Sequence, residues 1–252
     1  KRTEELMTQH RILITGGASG IGAGIARHWA NMGNDVLITD VDDALGAALA
    51  QELGATYQHH DVTSEKQWKE LAAQHKPFEV VFLNAGVASG GNIFAATPSE
   101  SVFEFDLANF RRVSSINIDG VVLGVAHLAD AMAKNGGGDI VVTASMAGLF
   151  PIQADPIYGL TKHAVLGFVK SLAPTLIEHN VCLSAICPFF VDTPLVNAES
   201  QALIRETGFD ILTVDQVIDA AQTAVAERSA GAQWVIFPGL PVVKAPEPAL
   251  LP

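Results

Sequence analysis

Hydrophobic positions in this chain fall in short, dense runs separated by longer amphipathic stretches, and the two kinds alternate almost from end to end. Val80-Val81-Phe82-Leu83 and Ile140-Val141-Val142 are continuous apolar runs without polar alternation. Such runs fit strands buried on both faces, as in a parallel sheet covered by helices. On this pattern strands are predicted at Arg11–Thr15, Asp35–Thr39, Thr56–His60, Phe78–Leu83, Asp139–Ala144, Val181–Cys187 and Gln233–Phe237. Helices are predicted at about Ile21–Met32, Asp43–Leu53, Ser64–His75, Phe110–Lys134, Ile157–His179 and Val214–Glu227. The alternation implies right-handed βαβ units and an α/β fold, a doubly wound parallel seven-stranded sheet with helices on both faces. No internal repeat or linker is visible, and residues 1–252 are expected to form one domain, a size such folds reach as one unit.

Two segments break the pattern. Residues 85–100 are rich in Gly, Ala and Ser, and residues 188–213 hold prolines with little periodicity. Both follow strands, and in open α/β sheets the ligand lies beyond the carboxyl ends of the strands, so these loops are expected to wall a substrate pocket. The stretch from Pro238 to Pro252 has five prolines and is not expected to be helical; it reads as an arm against a neighbouring subunit or a loose end.

Hydrophobic residues make up 49% of the chain and charged residues 17%, enough for a large core. A net charge of -12 opposes nucleic-acid binding, because phosphates would repel an acidic surface. Cys182 and Cys187 lie an odd number of residues apart on one predicted strand, hence on opposite faces, and read as unbridged, buried thiols of a cytoplasmic protein. No apolar stretch approaches the roughly 18 residues of a membrane span, and the polar beginning of the chain has no secretory hydrophobic region. His59 and His60 lack spaced Cys or carboxylate partners, so no metal site is expected.

The chemistry begins at Thr15-Gly16-Gly17-Ala18-Ser19-Gly20-Ile21-Gly22, directly after the first predicted strand and at the start of a helix. Glycine there permits positive φ and close backbone approach to a pyrophosphate, while the free N–H groups of the helix start face its charge. An ordinary strand-to-helix turn would also use glycine, so the context matters. The second predicted strand leads to Asp40, 18 residues after Gly22, where a carboxylate would meet the adenosine ribose hydroxyls and repel a 2′-phosphate. No Lys or Arg lies between Thr15 and Ile21 or just after Asp40, which favours NAD over NADP.

The spacing Gly16-x3-Gly20-x-Gly22 resembles that of the short-chain dehydrogenase/reductase superfamily, in its shorter single-domain branch with a Rossmann fold, and the resemblance runs over about residues 10–240. Asp61-Val62 resembles the family's adenine-contacting pair, and Asn84-Ala85-Gly86 its Asn-Ala-Gly turn. With Ser19 and Ile21, these positions are implied to bind the cofactor.

Tyr158 and Lys162 stand one helical turn apart on one face. A phenol, with a reference pKa near about 10, needs a nearby cation to act as a base at neutral pH. Such a pair can take an alcohol's proton as hydride leaves, or return it. A Tyr-x3-Lys pair is also a common amphipathic pattern. Ser145, 13 residues earlier, resembles the family serine that hydrogen-bonds the substrate oxygen, and Asn117 the helix-interrupting asparagine that holds a water in a relay with the lysine. The resemblance gives Lys162 a second task at the nicotinamide ribose. Pro188-Phe189-Phe190-Val191-Asp192-Thr193 resembles the family's P-G-x-V-x-T, so Pro188, Val191 and Thr193 are implied to contact the nicotinamide. Phe189 departs from that pattern, because a phenylalanine cannot easily take the positive φ of a glycine; either the loop takes another path or the ring lines the pocket.

The stretch from Ala147 to Val165 is similar to NAD-linked secondary-alcohol dehydrogenases of the 15-hydroxyprostaglandin dehydrogenase kind. The expected function is NAD-dependent interconversion of a secondary alcohol and a ketone. Phe94, Leu149, Phe150, Phe189, Phe190 and Leu195 are expected to make an apolar pocket for a fairly bulky small-molecule substrate. The alternative is a non-catalytic, redox-sensing NAD(H)-binding module, which need not keep Ser145, Tyr158 and Lys162 together. The resemblance also implies a homodimer or homotetramer.

Overall fold

The computed structural model describes residues 9–90, 106–153, 155–196 and 198–246. Its strands are β1 (Arg11–Thr15), β2 (Asp35–Asp40), β3 (Thr56–His59), β4 (Val80–Leu83), β5 (Gly138–Thr143), β6 (Val181–Pro188), β7 (Gln233–Ile236) and β8 (Val243–Lys244). They form one sheet in the order β3-β2-β1-β4-β5-β6-β7-β8, parallel throughout except for antiparallel β8. The doubly wound α/β class is as expected, but the described sheet has eight strands, not seven. The extra strand comes from the proline-rich tail, where Lys244 pairs with Trp234 and Val243 with Val235. Prolines 241 and 246 bracket those two residues, and an edge strand tolerates prolines because one side of its ladder is unused.

The helices are α1 (Gly20–Asn31), α2 (Asp43–Leu53), α3 (Glu65–Gln74), α4 (Leu107–Ser114), α5 (Gly120–Lys134), α6 (Pro156–Ile177), α7 (Ala198–Glu206) and α8 (Val214–Glu227). Alternate strand residues feed two cores. Leu13, Val81, Ile140 and Leu183 face α3, α5 and α6, whereas Ile12, Ile14, Phe82 and Ile186 face α1 and α8. Each fully buried aliphatic side chain contributes about 2 kcal/mol, so both faces of the sheet hold the strand ends in fixed register.

Three differences from the expected elements bear on the site. The helix expected from Phe110 begins at Leu107, because Asp106 caps it by accepting from Ala108 N and Asn109 N at 3.0 Å each. Between α4 and α5 the chain widens into a π turn over Ser115–Asp119, with Asn117 inside it. Helix α7 lies within the segment 188–213 that shows little periodicity. The continuous run Leu107–Lys134 is long enough to cross a membrane and contains an 18-residue window of mean hydropathy 1.3, contrary to the sequence expectation. Here its residues Val113, Val121, Val125, Leu128 and Met132 are buried in the protein. Cys182 and Cys187 are buried and unbridged, as expected.

At the opposite end of the sheet from the glycine turn, Arg228 terminates α8 in a left-handed conformation, φ 48°. It donates from Nη1 to Asp139 Oδ2 at 2.8 Å and from Nη2 to Asn180 O at 2.9 Å. Burial pushes the Asp139 carboxyl up to about 6 despite the guanidinium. Its folded-state pKa is therefore above the unfolded one, and the charged form depends on Arg228 once pH exceeds that value. Arg228→Met should cost about 2 kcal/mol at pH 8, since the guanidinium is partly exposed, and clearly less at pH 5. Thermal melts at both pH values check this; an equal loss at the two would show that packing, not charge, is what Arg228 provides.

Candidate active site

A single continuous cavity of about 820 Å³ lies beyond the carboxyl ends of the central strands. It starts at the switch point between β1 and β4, where strand order reverses and the crevice opens. Asp40 borders one end, and Ser145, Tyr158 and Lys162 border the other.

The glycine turn is shaped by contact with the segment after β4. Gly16 has φ 61°, and a Cβ there would lie 2.7 Å from Ala85 Cα, so neither conformation nor space admits a side chain. Asn84 Nδ2 donates to Gly16 O at 3.0 Å, while Asn84 Oδ1 accepts from Thr143 Oγ1 at 3.0 Å. Thr15 Oγ1 accepts from Asn84 N and Ala85 N. The Asn-Ala-Gly turn therefore links β1, β4 and β5, and Asn84, Ala85 and Gly86 also line the cavity. Gly22 does not line it: a Cβ there would lie 2.1 Å from Gly16 O, so its role is to let α1 close on the turn.

Ser19, Gly20 and Ile21 line the cavity at the start of α1, and the Ser19 side chain makes no capping bond. The twelve-residue helix has no acid in its first turn, so its dipole and free N–H groups suit an anion. Asp40 is fixed by backbone donors: Oδ2 accepts from Ala18 N at 3.0 Å, and Oδ1 from Val41 N at 2.7 Å and Asp42 N at 3.1 Å. Lys162 is the one Lys or Arg among the described residues that line the cavity. Asp61 and Val62 line it too, with Asp61 Oδ1 accepting from Thr63 N and Thr63 Oγ1. Neighbouring His60, weighed from the sequence only as a metal ligand, lines the cavity and is buried against Trp68, and burial drives its pKa down to about 4, so it stays neutral.

At the other end Ser145 begins a short 3-10 turn after β5, its Oγ accepting from Ala147 N at 3.1 Å and donating to Pro188 O at 3.5 Å, and it neighbours Tyr158. Lys162 is buried; its Nζ donates to Thr143 O at 2.9 Å and sits 5.5 Å from the Tyr158 ring centre. Burial pushes the Tyr158 phenol up to about 12, opposed by the Ser145 hydroxyl, and pushes the Lys162 ammonium down to about 8. Desolvation is thus the largest influence on both groups. Pro188, Val191 and Thr193, which the resemblance implied at the cofactor, line the cavity.

Asn117 stands apart from the cavity lining. Its Oδ1 accepts from Val87 N at 2.8 Å, and its Nδ2 donates to Val87 O at 2.9 Å and Thr161 Oγ1 at 3.0 Å. Gly86 lies between it and Lys162: a Cβ there would be 3.4 Å from Asn117 Oδ1 and 3.5 Å from Lys162 Nζ. The asparagine is a clamp on the segment after β4, reached through the π turn.

Of the expected apolar wall, Phe150, Phe189, Phe190 and Leu195 line the cavity. Leu149 does not; it turns away and packs on the core. Phe94 lies outside the described residues. Met146, Ile152 and Val196 are lining residues that the sequence reading missed, since nothing in their spacing marks them. Phe189 takes no positive φ, and its N–H donates to Ile236 O at 3.0 Å, continuing the ladder of β6. Its ring stacks with those of Phe190, Phe209 and Phe237 at centre distances of 4.5, 5.4 and 4.9 Å. No group of three or more His, Cys, Asp or Glu among the described residues could hold a metal.

Comparison with known proteins places this geometry in context. The family model described as short chain dehydrogenase matches residues 10–204. The chain is 32% identical over 249 residues to (+)-borneol dehydrogenase 1 of Salvia officinalis, covering 92% of this chain and 93% of that protein. It is 30% identical to a mitochondrial borneol dehydrogenase of Lavandula x intermedia, covering 86% of this chain and 83% of the relative. A crystal structure of a short-chain type dehydrogenase/reductase from Mycobacterium marinum superposes with a TM-score of 0.81 at 25% identity, over 95% of this chain and 98% of the other.

The bonds made by Asn84 yield a direct test of the switch point. Asn84→Ala should lower stability by about 1–2 kcal/mol, because Gly16 O and Thr143 Oγ1 each lose a partner. Affinity for ADP-ribose should fall with it, by calorimetric titration. Unchanged affinity would mean that the glycine turn holds its shape without Asn84.

Proposed function

The chain belongs to the short-chain dehydrogenase family, and from that premise we propose that it is an NAD-dependent oxidoreductase interconverting an apolar secondary alcohol and its ketone. Family membership itself carries the coarser statement, an oxidoreductase that uses a nicotinamide dinucleotide on small alcohols or ketones. The observation that carries the finer reading is the meeting of Ser145, Tyr158 and Lys162 at one end of a cavity whose other end is bordered by Asp40.

The residues fit the cofactor class. Gly16, Ser19, Gly20 and Ile21 would take the pyrophosphate, Asp61 and Val62 the adenine, and Lys162 the nicotinamide ribose. Pro188, Val191 and Thr193 would hold the carboxamide end. The fixed Asp40 carboxylate would accept from ribose hydroxyls and repel a 2′-phosphate; with no cavity-lining Lys or Arg beside it, NAD is the preferred form. When bound, the cofactor would supply hydride transfer to or from the substrate carbon and, in its oxidised form, a positive charge.

Tyr158 takes the alcohol proton or returns it, and Ser145 donates a hydrogen bond to the same substrate oxygen. Lys162 supports the phenolate from within a desolvated site, where a charge acts more strongly than in water. Among the described residues the substrate side is bounded by apolar Met146, Phe150, Ile152, Phe189 and Phe190, with Gln153, Ser145 and Tyr158 as polar neighbours. It therefore suits a compact apolar body with one reacting oxygen, a description that borneol, a bicyclic secondary alcohol, also meets.

Tyr158→Phe should lower kcat by about a thousandfold, within the range for loss of a general acid–base, while leaving NADH affinity within about twofold. Stopped assays with a panel of cyclic secondary alcohols and NADH fluorescence titration provide the two readings. NADH binding without turnover in either protein would instead favour a redox-sensing module. Asp40→Asn, which keeps an acceptor for Ala18 N, should weaken NAD binding by about tenfold and narrow the preference over NADP. A wild-type protein that prefers NADP would overturn the cofactor reading.

A further inference from the structure

We propose that Asp155 is a positioning residue for this reaction: its carboxylate bolts the segment leaving β4 to the first turn of α6, fixing Tyr158 against the cavity wall and holding a negative charge beside it. The inference rests on the oxidoreductase reading above. Asp155 is 4% exposed and is the N-cap of α6. Its Oδ1 accepts from Tyr158 N at 2.9 Å and from Ser89 Oγ, and its Oδ2 accepts from Ser89 N at 3.0 Å.

A serine or asparagine would cap the helix as well at lower desolvation cost. What only a carboxylate offers here is two acceptor oxygens, one serving the helix and one serving the backbone of Ser89. The segment is held from its other side by three helix residues in turn. Asn117 takes both backbone groups of Val87, Arg112 Nη2 donates to Ala88 O at 3.0 Å, and Asn109 Nδ2 donates to Ser89 O. Residues 87–89 therefore form a bridge between the α4–π-turn region and the helix that carries Tyr158 and Lys162. Val87, Ala88 and Asp155 all line the cavity, so the bridge is also its wall.

The groups around the phenol have opposing effects. Ser145, after β5, favours the phenolate; Asp155, the cap of α6, and Cys187, on β6, favour the protonated form. Lys162, on α6, is the cation on the same helix. Removing the Asp155 charge should therefore make Tyr158 easier to ionise, an effect that a purely structural cap would not have.

The test uses Asp155→Asn, Asp155→Ser and Ser89→Ala. The serine variant keeps a cap for Tyr158 N but cannot reach Ser89, so it stands in where the asparagine variant fails to fold. For alcohol oxidation, both Asp155 variants should move the acid-side midpoint of kcat lower by about half a pH unit or more, and raise KM about tenfold. Ser89→Ala keeps the charge and should raise KM without lowering the midpoint. An activity-free reading is available because Tyr57 and Tyr158 are the chain's two tyrosines. In a Tyr57→Phe background, tyrosinate absorbance reports Tyr158 alone, and its midpoint should fall when Asp155 is neutralised. An unmoved midpoint in that titration overturns the inference whether or not the protein turns over alcohols. Absence of turnover by the wild type, with NAD or NADP, would overturn the oxidoreductase reading instead.

Discussion

The close approach of Gly16 to Ala85 is the constraint on which the rest of the site depends. Strand order reverses between β1 and β4, and the chain segments leaving those strands must diverge to open a crevice while their first residues remain in contact. A Cβ at Gly16 would separate them, and one at Gly22 would push α1 off the turn. Asn84 then ties the contact to β5 through Thr143, whose carbonyl receives Lys162 Nζ. The glycine-turn end and the Tyr158 end of the cavity are thus two ends of one bonded structure. That is why residues so distant in sequence share a cavity with little slack.

The same compactness sets the reactivity of the site. Tyr158 and Lys162 are desolvated, so each resists its charged form: the phenol moves up and the ammonium moves down. A buried pair of this kind is poised so that a positive charge arriving nearby tips the phenol toward ionisation, and its departure restores the proton. In this reading the protein does not keep a permanent base. Under the proposed function it would keep a phenol whose ionisation follows occupancy of the cavity.

Much of this was legible in the sequence because dense local signals carried it. Continuous apolar runs marked the buried parallel strands to within a residue or two at most ends, and the Gly16–Gly22 spacing marked the turn. Ser145, Tyr158 and Lys162, within 18 residues of one another, were singled out by their match to the family pattern, since the Tyr-x3-Lys pair alone is common. Long-range and side-chain-specific facts were not legible. Asp155 looked like an ordinary residue before a proline, since its partner Ser89 lies 66 residues away. The interruption at Asn117 was implied by the resemblance alone, and its form as a π turn over Ser115–Asp119 was not legible. Edge strand β8 has only two residues, too few for any alternation, and Leu149 cannot be told from Phe150 until the 3-10 turn sends them to opposite sides.

Phe189 shows how a departure from a family pattern can be absorbed without loss of the scaffold. A glycine there would leave the end of β6 free to bend. The phenylalanine keeps extended pairing with β7, through Phe189 N to Ile236 O, and exchanges conformational freedom for a ring. That ring joins Phe190, Phe209 and Phe237, so the segment after α7 packs on the end of the sheet rather than resting on solvent. Edge-to-face aromatic contacts contribute about 0.5–1.5 kcal/mol each beyond burial, enough to hold a short loop against its own entropy. Since Phe189 and Phe190 also line the cavity, the rings that order this loop shape the substrate side as well. Changes to that cluster should therefore alter substrate selection and loop order together, while the Gly16 to Lys162 scaffold, built on other strands, carries on unchanged.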